Sequence, residues 1–115
     1  YLGYLPKDEL PILYSAARVF LFPTHYEGFG LPLIEAMAAG VPVICSNTTS
    51  LPEVVGAAAL TAAPEDTDAF VAHLQRALED EAWIIDAQQA GIARAQLFSW
   101  QRCAAETIDV YRQLQ

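Results

Sequence analysis

Two short apolar runs, residues 19–22 (Val-Phe-Leu-Phe) and 41–45 (Val-Pro-Val-Ile-Cys), limit what this 115-residue chain can fold into more than any other feature. Neither shows the every-second-residue alternation of a strand with one wet face. A strand that lacks alternation is covered on both faces, as in a parallel sheet flanked by helices. Parallel neighbours need a crossover between them. Residues 31–39 supply one, reading as a helix with Gly40 placed to end it. Residues 1–4 read as the end of an earlier strand and residues 58–61 as a last short one. Leu10, Leu13, Tyr14 and Ala17 recur at the spacing of a buried helical face, with Asp8 or a neighbour to cap the helix and Pro11 in its first turn. Ser50 and Glu53 have the spacing of a capping box for a short helix ending at Gly56. From Glu65 onward the pattern is helical. Phe70, Leu74, Ala77 and Leu78 mark one face, and residues 83–97 form a second helix that Gly91 weakens. Ser99 caps a third, which carries Cys103, Ile108, Tyr111 and Leu114. The chain is therefore read as α/β with a Rossmann-like parallel sheet. Residues 1–63 alternate strands and helices, and residues 64–115 are helical.

Composition removes several functions. The net charge is −8, from 14 acidic and 6 basic side chains. Nucleic acids and anionic membranes are bound through clustered Lys and Arg, so neither is an expected partner. No apolar run approaches the roughly 18 residues of a membrane helix. Cys45 and Cys103 lack metal-ligand spacing and read as two buried free thiols. His73 reads as a surface helix residue, His25 as the wall of a loop, and Phe98 and Trp100 as packing anchors.

The loops at residues 4–7, 23–30 and 46–50 each follow an expected strand. They should open on one edge of the sheet, where ligands of such folds bind. The informative stretch is Glu27-Gly28-Phe29-Gly30-Leu31-Pro32-Leu33-Ile34-Glu35. Its loop leads into a helix N-terminus, whose free N–H groups and positive dipole end favour a phosphate. Gly28 and Gly30 let backbone come close to a ligand. A carboxylate accepts two hydrogen bonds at once, so Glu27 and Glu35 suit vicinal hydroxyls. A phosphate flanked by two sugar-reading carboxylates describes a nucleotide sugar.

Residues 27–43 resemble, nearly letter for letter, the Glu-x7-Glu segment of retaining GT-B glycosyltransferases of family 4. Leu2-Gly3-Tyr4-Leu5, Leu13 to Ala17, Ser50 to Gly56 and Phe98-Ser99-Trp100 extend the resemblance over nearly the whole chain. It departs at Ala57, where the family carries an acid, and at Thr61 to Pro64. The resemblance implies part of a C-terminal donor-binding domain. Glu27 would contact the transferred sugar as the catalytic carboxylate. Gly28 would let the backbone approach, and Phe29, Gly30 and Leu31 would offer N–H groups to sugar and phosphate. Glu35 would hold the ribose, and Tyr4 and Leu5 the base. The donor would be a UDP- or GDP-sugar, transferred with retention, without metal or other cofactor, in the cytoplasm or at the inner face of the membrane. The Arg and Lys that bind the diphosphate in this family would precede Tyr1, as would the acceptor-binding domain and two strands of the six-stranded order 3-2-1-4-5-6. The 115 residues alone are then expected to be inactive, with an open edge at residues 19–22 through which copies associate. The alternatives are a non-catalytic binding or assembly module of the same fold, and an epimerising relative.

Overall fold

A central strand covered on both faces organises the computed structural model, which describes residues 1–114. Strands β1 (Phe20–Phe22), β2 (Val43–Ser46) and β3 (Ala59–Ala62) form one sheet in the order β1-β2-β3, with both pairings parallel. Phe20 stands opposite Val43, and Val43 opposite Ala59. All four residues of β2 are buried. Their side chains still alternate between faces, as any strand requires. Val43 and Cys45 join one core with Leu33, Ala36, Met37, Leu51, Val54 and Val55. Ile44 joins the other with Ala62, Phe70 and Ala77. A separate core on each face is why this strand's sequence is apolar throughout.

The crossovers cover one of those faces and α4 covers the other. Helix α1 (Leu10–Ala16) precedes β1. Helix α2 (Leu31–Ala38) joins β1 to β2, and α3 (Leu51–Val55) with a 3₁₀ turn at Gly56–Ala58 joins β2 to β3. Helices α4 (Thr67–Glu79), α5 (Glu81–Ala95) and α6 (Trp100–Gln113) follow. Asp66 accepts from the Ala69 N–H to cap α4, and Asp80 from the Trp83 N–H to cap α5. That N–H, followed by the Arg76 guanidinium, holds the Asp80 carboxyl below its usual range against a smaller desolvation effect. Gly91 does not weaken α5 as the sequence implied. It is buried where α5 crosses α2, and a Cβ there would lie 3.4 Å from Met37 Cγ and 3.6 Å from Met37 Cα. A side-chain carbon there would sit in ordinary van der Waals contact with Met37, so α5 packs closely on α2 at this glycine.

Several expectations need correction. Residues 1–4 form no strand, so the sheet has three strands rather than four. Tyr1, Leu2 and Tyr4 are exposed. A strand needs a neighbour for its backbone groups, and this segment has none in the observed order. Asp8 caps nothing; α1 begins after Glu9 without a side-chain cap and buries no residue. The Ser50–Glu53 capping box does not form either, because Ser50 is itself in the helical backbone region. Ser99 does cap α6 through the Arg102 N–H. That helix, however, buries none of its residues, so Trp100, Ile108, Tyr111 and Leu114 are exposed and Cys103 is a surface thiol. Leu78 is also exposed. His73 is half-buried, its Nε2 3.1 Å from the Thr61 carbonyl, tying α4 to β3. No helix among the described residues is long and apolar enough to cross a membrane.

The two thiols should therefore differ. Burial pushes Cys45 up to about 11, and its side chain has no solvent access. Only the thiolate is nucleophilic. In the native protein at neutral pH, a maleimide should modify Cys103 quickly and Cys45 only after denaturation. Equal rates at the two sites would contradict the placement of β2.

Candidate functional site

The loops after β1 and β2 meet at the carboxyl edge of the sheet. Ser50 Oγ lies 3.1 Å from the Phe29 carbonyl and 3.4 Å from the Glu27 carbonyl, and donates into that pair. Thr48 Oγ1 reaches the His25 carbonyl at 3.5 Å, and Thr24 Oγ1 donates to the Tyr26 carbonyl at 2.9 Å. Serine and threonine hydroxyls thus engage carbonyls along residues 25–29. A planar trans peptide points its N–H opposite its carbonyl. Turning the Phe29 carbonyl toward Ser50 therefore turns the Gly30 N–H away from it.

Gly30 then makes the turn into α2. Its φ is +96° and its ψ 42°, a left-handed conformation. An added Cβ would sit 2.9 Å from Leu51 Cδ2. The close approach and the positive φ both demand glycine here. At the start of α2 the Leu33 N–H bonds the Gly30 carbonyl at 3.0 Å, and Pro32 has no N–H to give. The Gly28 N–H is taken by Glu27 Oε1 at 3.1 Å. This leaves the N–H groups of Phe29, Gly30 and Leu31 without a protein acceptor among the described residues. These are the three residues to which the family resemblance gives a donor role.

Glu35 lies one turn further along α2 and is exposed. The Tyr14 hydroxyl donates to its Oε2 at 3.2 Å. Burial, then the Glu35 charge and this hydrogen bond, pushes the Tyr14 phenol up to about 12. Glu27 is half-buried. Glu27, Phe29, Gly30, Leu31 and Glu35 therefore occupy one loop-and-helix unit. Tyr4 and Leu5 are different: Tyr4 is exposed, Leu5 half-buried, and no side-chain hydrogen bond ties either to that loop. Their expected position relied on a strand that does not form.

The surroundings are short of free cations. Arg18 is engaged by Glu81 at 2.6 Å and by the carbonyls of Ala77 and Leu78. Arg94 donates to the Val54 carbonyl at 2.9 Å and to that of Glu53. It also stacks on Phe98, whose ring meets Phe29 edge-on at 6.1 Å. No Arg or Lys side chain hydrogen-bonds the 23–30 loop among the described residues. His25 Nδ1 lies 3.1 Å from Glu65 Oε1, both largely exposed. Among the described residues no three His, Cys, Asp or Glu side chains gather as a metal site. An open groove of about 710 Å³ runs from Phe29 and Leu31 to Phe98 and α6, beside the carboxylates rather than over them. Sequence reasoning missed Tyr14, filed as a packing residue, and Ser50, filed as a cap.

The family model "Glycosyl transferases group 1" matches residues 1–97. The chain is 55% identical over 114 residues to the O-antigen chain mannosyltransferase B of Escherichia coli, covering 99% of this chain and 30% of that protein. It is 41% identical over 111 residues to the MMP alpha-(1->4)-mannosyltransferase of Mycolicibacterium hassiacum, covering 93% and 27%. Among solved structures, a sucrose-phosphate synthase from Thermosynechococcus elongatus superimposes with a TM-score of 0.88 at 40% identity, covering 98% of this chain and 29% of that one. The chain thus spans less than a third of the length of these relatives.

The two loop glycines separate on substitution. Gly30→Ala should cost about 1–3 kcal/mol, from left-handed strain and the Leu51 contact. At Gly28 an added Cβ meets nothing within 4 Å, so Gly28→Ala should stay within about 0.5 kcal/mol. Urea unfolding of both variants reads the difference. Equal costs would argue against the turn described.

Proposed function

Because this chain belongs to the group 1 glycosyltransferases, we propose that it forms the donor-sugar half of such an enzyme's active site. In this reading the family is family 4 and the sugar leaves a UDP- or GDP-sugar with retention. The observation that carries the reading is the run of N–H groups at Phe29, Gly30 and Leu31 without a protein acceptor among the described residues, lying between Glu27 and Glu35 in the sequence, with Gly30 buried and Phe29 and Leu31 exposed. Open N–H groups at the positive end of α2 favour a phosphate oxygen. Carboxylates on either side favour hydroxyl donors. A nucleoside diphosphate sugar presents hydroxyls on both sides of its phosphates.

Each residue then has a task. Glu35 accepts from the ribose hydroxyls and Glu27 from the transferred sugar near its anomeric carbon. Gly28 admits the ligand, and Phe29, Gly30 and Leu31 donate to the distal phosphate and the sugar. As the bond to the diphosphate breaks, negative charge grows on the phosphate oxygens. Stabilising it takes preorganised donors and cations. The backbone donors lie in this chain, but its Arg18 and Arg94 side chains are engaged elsewhere. The cations and the acceptor site belong to parts of the protein outside these 115 residues. The same shortage of cations favours a second reading, in which the fold binds a nucleotide sugar without catalysis.

A titration with UDP and with GDP, followed by amide NMR, tests both readings. Millimolar binding is expected, with the shifts centred on residues 28–31 and 35. Glu35→Ala should weaken it about tenfold, the scale of hydrogen bonds to a charged group. No turnover is expected from the chain alone with nucleotide sugars and generic acceptors. Turnover would sink the division of the site, and absence of binding by either nucleotide would sink the donor reading.

The outer edge of β1 pairs with nothing among the described residues. Unpaired edges recruit other chains. The isolated chain should therefore associate, its sedimentation coefficient rising with concentration. A monomer at all concentrations, with β1 amides as protected as those of β2, would count against this.

A further inference from the structure

We propose that Tyr14 is a positioning residue for Glu35, holding one carboxylate oxygen so that the other is presented to the vicinal hydroxyls of a nucleoside ribose. The inference rests on the donor reading above and adds to it a residue outside the Glu27–Glu35 stretch.

The geometry starts with α1. That helix buries none of its residues, and Tyr14 is half-buried beside the first core. The ring packs edge-on against Phe20, centroids 5.5 Å apart at 75°, and Phe20 stacks on Phe22 at 5.7 Å. The phenol is thus anchored to β1 by its ring while its hydroxyl reaches α2. There it donates to Glu35 Oε2 at 3.2 Å. Glu35 Oε1 has no protein donor among the described residues. Left alone, an exposed glutamate samples many rotamers and loses that freedom on binding. A tyrosine has few rotamers of its own and gives the carboxylate a fixed partner. Ordering the acceptor before the ligand arrives lowers the cost of binding.

The arrangement is also chemically one-sided. Burial first, then the Glu35 charge and the hydrogen bond to it, push the Tyr14 phenol from its ordinary 10.0 up to about 12. Tyr14 therefore remains a donor throughout the physiological range. A carboxylate is acceptor-only, so the oxygen facing the ligand selects O–H groups. Tyr14 should act on the discrimination between ribose and deoxygenated sugars rather than on phosphate binding.

The test uses Tyr14→Phe, which keeps the ring on Phe20 and removes only the hydroxyl. UDP and GDP and their 2′,3′-dideoxy counterparts are titrated into the wild type, Tyr14→Phe, Glu35→Ala and the double variant. Tyr14→Phe should weaken the ribonucleotides about five- to tenfold, the range of a hydrogen bond to a charged group. It should leave the dideoxy affinities unchanged and add nothing in the Glu35→Ala background. Equal weakening of both nucleotide types would mean a general structural role, and a full effect without Glu35 would mean independent action; either overturns the proposal. Alkaline absorbance titration reads the contact without any nucleotide. Glu35→Gln should lower the Tyr14 phenol part of the way, the effect of burial remaining, and an unmoved titration overturns the contact. If the titration moves but neither nucleotide binds the wild type, the contact stands, and the donor reading falls together with Tyr14's part in it.

Discussion

The structure depends on the burial of β2 on both faces. A four-residue strand holds its place only because one core, built on α2 and α3, closes over Val43 and Cys45 while α4 closes over Ile44. Each buried aliphatic side chain contributes on the order of 1.5–3 kcal/mol relative to exposure. Both crossovers, α2 and α3, cover one face, and α4, which follows β3, covers the other; the crossovers let neighbouring strands run parallel. Parallel pairing then gathers the loops after β1 and β2 at one edge. The position of the candidate site is thus a consequence of how β2 is covered.

At that edge the packing becomes chemistry through one residue pair. Leu51 is fully buried at the start of α3, and its Cδ2 occupies the space that a side chain on Gly30 would need. The left-handed turn at Gly30 points the chain into α2, and Ser50, next to Leu51, takes the carbonyls of the preceding loop. The polar loop after β2 therefore satisfies the acceptors of the loop after β1 and leaves its donors open. Open backbone donors at a helix start are useful only to a ligand or water. Here they are supplied by a local sequence without a single Lys or Arg, residues 19–58.

The elements legible in the sequence were those where one force acts alone. Continuous apolar runs announced β1 and β2, and the stretch closed by Gly40 announced α2. What the sequence concealed involved partners far along the chain. Residues 1–4 look like a strand until the sheet order leaves them no neighbour. Ser50 looks like a cap until the loop at 27–29 offers better-placed carbonyls. Gly91 looks like a helix weakness until Met37 is found against it. Tyr14 looks like a core residue, and its ring is one, but its hydroxyl serves a carboxylate 21 positions away. Helix α6 shows the reverse. Its apolar spacing promised a buried face, yet it rests on the Ser99 cap and local pairs such as Arg102–Glu106 and stays exposed. Periodicity records that a face is apolar, not what covers it.

The charge of the chain bears on which ligands its edge can hold. A net charge of −8 repels anions at long range, although salt screens this beyond about 8 Å. At short range the N-terminus of α2 favours a phosphate by roughly 0.3–1 kcal/mol where exposed. Glu27 and Glu35 lie on either side in the sequence and oppose it. A bare phosphate meets both effects and gains little. A ligand whose phosphates are flanked by hydroxyls converts each opposing carboxylate into an acceptor, and each such bond contributes about 1.5–3 kcal/mol gross of its own ordering cost. The two glutamates therefore act as a filter under the proposed reading. They turn a weak anion site into one that discriminates for the sugars on both sides of the phosphates, and Tyr14, by fixing one of them in place, sharpens that filter at the ribose end.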